Sequence, residues 1–284
     1  MKNLVSLSHI LFLFLALVTL KVKAEVPIPA RIISTDGFVT ELIFALQAQD
    51  KLIAVDVTSK LPEGYKTLPN IGYHRNLSAE GLLSLEPGMV IGSEHVGPEN
   101  VISTLQAADI PLLRLSSAKT ANQLFGNVDE VATALDQPAK GKTLIARLAK
   151  SINSIPKKQL SQHRIAFLLS MDPSKLRLAG SGTNGDALIK LLGAKNVGDF
   201  ENFQNVSAES LLAINPTVIL VAGKIADTAV YDLLERQSVL KFSAAAKANQ
   251  ILSVDGSTLI AGLSISAVNE ALNIAKTLSE SQQD

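Results

Sequence analysis

Short aliphatic runs bounded by turn formers recur along the chain, separated by segments whose apolar positions return every three to four residues. The runs near Ile32, Leu52, Met89 and Leu112 are predicted strands, and the segments near Thr40, Ser78 and Asn100 are predicted helices. This alternation builds parallel sheets covered by helices. The second half repeats it, with strands near Ile165, Val218 and Ile251 and helices near Ala187, Ala208, Ala229 and from Ser264 to Leu278. Between the halves no strand pattern intervenes. Leu124, Val128, Val131 and Leu135 recur at helical spacing, Gln137-Pro138 breaks the run, and Pro138 in a first turn opens a second helix to Asn153. That helix spans about 22 Å at about 1.5 Å per residue, the length of a strut rather than a loose linker. The pattern therefore predicts an N-terminal α/β lobe over 25–119, connecting helices over 120–155 and a C-terminal α/β lobe over 156–284, with a ligand between the lobes.

The halves also echo each other in sequence. Asn76 to Val90 (NLSAEGLLSLEPGMV) and Asn205 to Ile219 (NVSAESLLAINPTVI) share Asn, Ser, Ala, Glu, two Leu and Pro in register. Leu42-Ile43 and Leu188-Ile189 head a second echo at a wider offset, so the first lobe carries about 17 extra residues between Asp56 and Arg75. Long loops inside compact domains are usually functional, and this one holds Tyr65, Tyr73, His74 and Arg75. In each repeat a Ser (Ser78, Ser207) stands where a helix cap belongs, followed by an early Glu (Glu80, Glu209) that favours the positive end of the helix dipole.

The first 24 residues change the bulk picture. Lys2, an apolar run from Ile10 to Leu20 and the small-x-small sequence Val22-Lys23-Ala24 read as a secretory signal peptide cleaved after Ala24. Equal counts of 26 basic and 26 acidic residues become mildly acidic once Lys2, Lys21 and Lys23 leave. No basic excess remains to hold nucleic acid. The absence of Cys excludes disulfides, thiolate metal sites and a lipidated N-terminal Cys, so the expected location is the periplasm without a lipid anchor. With 47% hydrophobic and only 4% aromatic residues, the core is aliphatic.

A signal peptide, two repeat-related α/β lobes, one connecting helix and the Glu80/Glu209 pair resemble the helix-bridged (class III) periplasmic substrate-binding proteins of ABC importers for haem, siderophores and cobalamin. Asn70-Ile71-Gly72-Tyr73-His74-Arg75-Asn76-Leu77-Ser78-Ala79-Glu80-Gly81 is similar to the haem-binding branch. The resemblance implies two Rossmann-like lobes joined by a single long helix and, as the transported ligand, ferric haem. It makes Tyr73 the axial oxygen ligand of the iron and Arg75 the supporting cation. It also implies docking of Glu80 and Glu209 to Arg residues of the permease subunits, an outer-membrane receptor energised by TonB upstream, and a monomeric carrier. The same scaffold carries ferric siderophores or cobalamin in its other branches, and that alternative stays open.

The chemistry of Tyr73 is consistent with this role. A phenolate is a known ligand of haem iron, and a free Tyr needs a nearby cation or the metal itself to ionise at neutral pH. His74, adjacent in an extended segment, points away from Tyr73 and is expected at the surface or behind the ligand. His95 follows a strand end, where open α/β sheets place ligands, and is a candidate contact against a solvent-facing loop His. Met171 stands where some relatives place a second axial ligand; it is a weak thioether ligand or, preferably, an apolar wall. Gly180 to Gly185 formally matches G-x-G-x-x-G, but about ten residues beyond its predicted strand. Anion capture by Thr183 and Asn184 with Arg177 as charge partner suits a haem propionate; a plain capped turn is the alternative.

Catalysis is not expected. No G-x-S-x-G, H-E-x-x-H or Cys is present, and Asp36 and Asp172 read as turn formers after strands. The three His residues beyond the leader are too few for a Mn or Zn carrier.

Overall fold

The computed structural model describes residues 29–171, 175–223 and 225–280. The predicted signal peptide and Asp172 lie outside them. The N-terminal lobe runs β1 (Ile32–Ser34), α1 (Gly37–Ala45), β2 (Leu52–Val55), α2 (Ala79–Leu83), β3 (Met89–Ser93), α3 (Glu99–Ala107) and β4 (Leu112–Leu115). Its four strands are all parallel, in the order β2-β1-β3-β4, so their carboxyl ends and the loops that follow share one edge. The connection is α4 (Ala121–Ala134), α5 (Pro138–Asn153) and α6 (Lys157–Leu160). The C-terminal lobe follows with β5 (Arg164–Ser170), β6 (Leu176–Ala179), α7 (Asn184–Leu192), β7 (Lys195–Asn196), β8 (Phe203–Val206), α8 (Ala208–Ile214), β9 (Val218–Gly223), α9 (Ala229–Arg236), α10 (Ala244–Lys247), β10 (Ile251–Ser253) and α11 (Ile265–Glu280).

The two connecting helices expected between the lobes are present, packed together and followed by a short third one. Asp136 adopts a positive φ of 56° between α4 and α5, and Pro138 starts α5. Gly141 of α5 lies so close to α4 that a Cβ there would stand 2.5 Å from the Ala132 methyl, so the pair forms one strut two helices thick. The C-terminal sheet, ordered β10-β9-β5-β6-β8, differs from the sequence expectation. Its β10, β9 and β5 are parallel, but β6 and β8 add an antiparallel edge that the periodicity did not disclose. Strands of four residues with an exposed Arg177 or Gln204 inside them carry little apolar signal.

The repeat is real in three dimensions. Ser78 and Ser207 each cap their helix, accepting the N–H of Gly81 and of Ser210 at 3.1 Å, and Leu82 and Leu211 are buried beneath. Leu42-Ile43 of α1 and Leu188-Ile189 of α7 are likewise buried in equivalent helices. One aliphatic core runs continuously from Ile32 and Leu42 through Leu124, Val128, Leu144 and Leu148 to Ile165, Leu188 and Ala271. The connecting helices thus bury their apolar faces against both lobes.

Polar contacts stitch the facing edges together. Leu263 donates its N–H to the Ala118 carbonyl at 2.7 Å, and Lys60 pairs with Asp255 at 2.6 Å. From α1, the Glu41 carboxylate accepts the Ser266 hydroxyl and the Ser266 N–H, the latter at 3.1 Å, at the first turn of α11. Burial pushes the Glu41 pKa up, against those hydrogen bonds.

Glu41 yields a stability prediction. A carboxylate whose folded pKa is raised contributes most when protonated, and its contribution falls as pH rises through the folded value. Glu41→Gln is expected to flatten the decline in stability above the ordinary carboxyl value of about 4.5. Glu41→Ala is expected to cost about 1–2 kcal/mol near neutral pH by leaving the α11 N–H groups unpaired. Urea unfolding across pH checks both.

Candidate functional site between the lobes

The long loop after β2 is organised by one carboxylate. Asp56, 1% exposed, accepts the Thr58 N–H at 3.1 Å, the Thr58 hydroxyl at 2.8 Å and the Ser59 hydroxyl at 2.9 Å. Its second oxygen lies 3.2 Å from His74 Nδ1. The loop then pairs back along the strand end: Ile71 donates to the Val55 carbonyl and Val57 to the Gly72 carbonyl, each at 3.0 Å. Gly72, at φ 86°, takes the left-handed turn that this return requires. Tyr65 anchors the outer part, bonding the Gln49 carbonyl at 2.8 Å and packing edge-on against Phe44.

The return delivers Tyr73 to the strand-end edge. The Asn76 N–H bonds the Tyr73 carbonyl at 2.8 Å, so the segment is a tight turn rather than an extended run. The expectation that His74 points away from Tyr73 is therefore corrected: the two rings lie in contact, centroids 4.3 Å apart and tilted by 46°. His74 is not at the surface either. It is fully buried, with Nδ1 facing Asp56 and Nε2 without a hydrogen-bond partner. Tyr73 stays 44% exposed on top of it.

The loop after β3 is tied to this turn. Gly97 donates to the His74 carbonyl at 2.9 Å, and Leu77 donates to the Gly97 carbonyl at 3.0 Å. His95 is thereby held half-buried close enough to Arg75 to feel its charge. Burial first, then the Arg75 cation, hold the His95 pKa below its ordinary value, against the opposing charge of Glu94. The structure thus brings Tyr73, Arg75 and His95 to one edge. It adds Lys119, which the sequence reasoning missed: a half-buried cation in the loop after β4, bonded to Asn184 of the opposite lobe. The available signal was its position just past a strand end, beside the Thr120 helix cap.

On the C-terminal lobe, Met171 is 48% exposed and shares a cavity of 370 Å³ with Leu169, Lys175, Arg177 and Asn205. The Arg177 guanidinium stacks 5.0 Å from the Phe203 ring centroid. The glycine-rich segment follows β6 directly, not ten residues after a strand as the sequence suggested, but β6 is antiparallel to its neighbours. Thr183 is buried, its hydroxyl donating to the Gly180 carbonyl at 2.8 Å and accepting the Asp186 N–H at 3.1 Å. Asp186 in turn accepts the Gly182 N–H at 3.2 Å, which fills this helix start with an internal carboxylate. Asn184 donates to the Leu259 and Ile260 carbonyls while its oxygen faces Lys119.

Glu80 and Glu209 are exposed in the first turns of α2 and α8. Glu209's own backbone N–H and the Ser207 hydroxyl lower its pKa. A larger cavity of 460 Å³ lies apart from Tyr73, between α1, the Thr58–Pro62 segment and residues 255–266. Asp36, at its rim, is 1% exposed and caps α1 through Val39 while also accepting the Ser93 N–H at 2.7 Å. Burial raises its pKa. Among the described residues no three His, Asp or Glu side chains converge as a metal site, and no helix is long and apolar enough to cross a membrane.

Two lobes of mixed α/β structure, a helical strut and polar loops at the strand ends define the architecture of a two-lobed binding protein. A model of the periplasmic binding protein family matches residues 32–258, and the chain belongs to that family. Its members are periplasmic and deliver ligands to the permeases of ABC importers. The chain is similar in structure to the periplasmic haem-binding protein HutB of Vibrio cholerae, with 34% identity, a TM-score of 0.79 and coverage of 87% of this chain and 98% of that one. A periplasmic haem-binding protein of Pseudomonas aeruginosa is similar at 29% identity and TM-score 0.77, covering 88% and 92%. By sequence, the vitamin B12-binding protein of Yersinia pestis (strain Pestoides F) is 24% identical over 213 residues, 74% of each chain.

The Asp56 network carries a prediction of its own. Asp56→Ala strands several buried donors and is expected to cost about 2–4 kcal/mol and to open the 57–72 loop to proteolysis. Chemical denaturation with limited proteolysis measures both.

Proposed function

We propose that this protein is a periplasmic haem carrier that grips ferric haem between its lobes through Tyr73 and hands it to an inner-membrane ABC importer. The observation that carries this reading is the exposed Tyr73 phenol fixed on a tight turn beside Arg75, with the ring of His74 buried behind it. Ferric iron favours a phenolate oxygen, and Arg75, two residues further on, adds a cation to the same turn. His95, neutral at physiological pH, forms the adjoining wall, and the exposed Met171 provides an apolar surface for the porphyrin from the opposite lobe. The haem-binding proteins that resemble the chain support this choice.

Cobalamin is the second reading, favoured by the vitamin B12-binding relatives; a ferric siderophore would use the same scaffold. The readings separate in a titration. The leader-free protein is expected to bind ferric haem with a tyrosinate-type absorption band that is lost in Tyr73→Phe, together with at least about tenfold in affinity. Cobalamin binding with no haem spectrum would overturn the haem assignment.

Glu80 and Glu209 are assigned to docking. Each stands exposed on a capped helix at repeat-equivalent positions, one per lobe, suited to bidentate pairing with Arg of a paired permease. Receptor upstream and monomeric state follow the same reading. Reversing both charges is expected to abolish stimulation of the importer ATPase while leaving haem affinity unchanged; retained stimulation would refute the docking role.

A further inference from the structure

Lys119 is a cation that forms no direct ion pair among the described residues. Its ammonium is half-buried in the loop after β4, and its hydrogen-bond partner is the neutral amide oxygen of Asn184. The ion pairs of the described residues are Lys60–Asp255, His74–Asp56, Lys190–Asp186, Lys241–Glu235 and Lys276–Glu280; Lys119 is in none of them. Of the two acids whose charges reach it, Asp186 is paired with Lys190 at 2.7 Å and accepts from Asn196 at 3.1 Å, while Glu94 accepts the Ser117 N–H at 3.1 Å and makes no ion pair with Lys119. Burial accordingly holds the Lys119 pKa below its ordinary value, the two acids only partly opposing this.

Its position is fixed from both lobes. The preceding residue, Ala118, accepts the Leu263 N–H at 2.7 Å, and the Asn184 amide is oriented by the Leu259 and Ile260 carbonyls. The same edge carries Arg75 and His95, and the charges of Arg75 and Lys119 both act on His95. A partly desolvated cation gains most from an anion that arrives already desolvated. Of the groups the sequence nominated for an anion, the Thr183 hydroxyl and the Asn184 amide make internal bonds, and Arg177 lies on β6 against Phe203.

We propose that Lys119 is the specificity-determining residue that reads a carboxylate of the ligand, with Asn184 holding its ammonium across the gap between the lobes. The inference rests on the haem reading, in which the carboxylate is a porphyrin propionate. It gives the site a means of separating dicarboxylate porphyrins from neutral ones.

The test compares ferric protoporphyrin with its dimethyl ester, titrated by absorption into the native protein, Lys119→Met and Lys119→Arg. Lys119→Met is expected to bind the diacid roughly 10- to 100-fold more weakly, the range of a charge-assisted hydrogen bond, with the ester unchanged and the tyrosinate band intact. Lys119→Arg should retain most of the preference for the diacid. Equal affinity of native and Met proteins for the diacid, or equal weakening of both porphyrins, overturns the assignment of Lys119 and leaves the haem reading standing. Failure of the native protein to bind either porphyrin overturns both.

Discussion

A carboxylate buried at the end of β2 has to be fully hydrogen-bonded or it costs several kcal/mol, and Asp56 meets that demand by gathering in Thr58, Ser59 and His74. Those partners lie at the two ends of the long loop that the first lobe has and the second lacks. Satisfying one buried charge therefore closes the loop on itself and fixes the turn that carries Tyr73. Thr58 extends the effect to α1, because its hydroxyl also accepts the Gly37 N–H at 2.9 Å. The exposed Tyr73 phenol stands on a packed platform, and its position is set by residues buried behind it.

The second constraint is topological. All strands of the N-terminal sheet run in one direction, so the loops bearing Asp56, His95 and Lys119 emerge on one edge. The C-terminal lobe meets that edge with Asn184 and the 255–266 segment. The strut of α4 and α5 shares its core with both lobes, which favours small changes in the gap over wide opening. The contacts across it are of two kinds. Glu41 at the start of α11 and the Ala118–Leu263 bond are partly or wholly buried and act as fixed points. Lys60–Asp255 is largely exposed and salt-sensitive, and contributes little by itself.

Much of this was legible in the chain because it is local or repeated. The Ser–Glu pairs at 78/80 and 207/209 announced two capped helices, Pro138 announced the start of α5, and the aliphatic runs announced every parallel strand but the two-residue β7. The antiparallel β6 and β8 escaped notice because strands of only four residues with exposed polar positions are too short to establish a period. The Asp56–His74 pair escaped because its members are 18 residues apart and nothing in either neighbourhood marks the other. The direction of the His74 ring was missed for a related reason: alternation holds for extended backbone, and Gly72 with the Tyr73–Asn76 bond makes a turn instead. Lys119 has no local signature at all, since its character depends on a partner 65 residues away on the other lobe.

Whether the ligand's metal meets Tyr73 is the claim on which the rest hangs, and a crystal structure of the protein saturated with ferric haem, phased at the iron absorption edge, locates that atom directly. The account predicts one strong anomalous peak within bonding distance of the Tyr73 phenolic oxygen, between Arg75 and the facing C-terminal lobe. A peak in the 460 Å³ cavity beside Lys60 and Asp255, or against Met171 with Tyr73 unliganded, would contradict it.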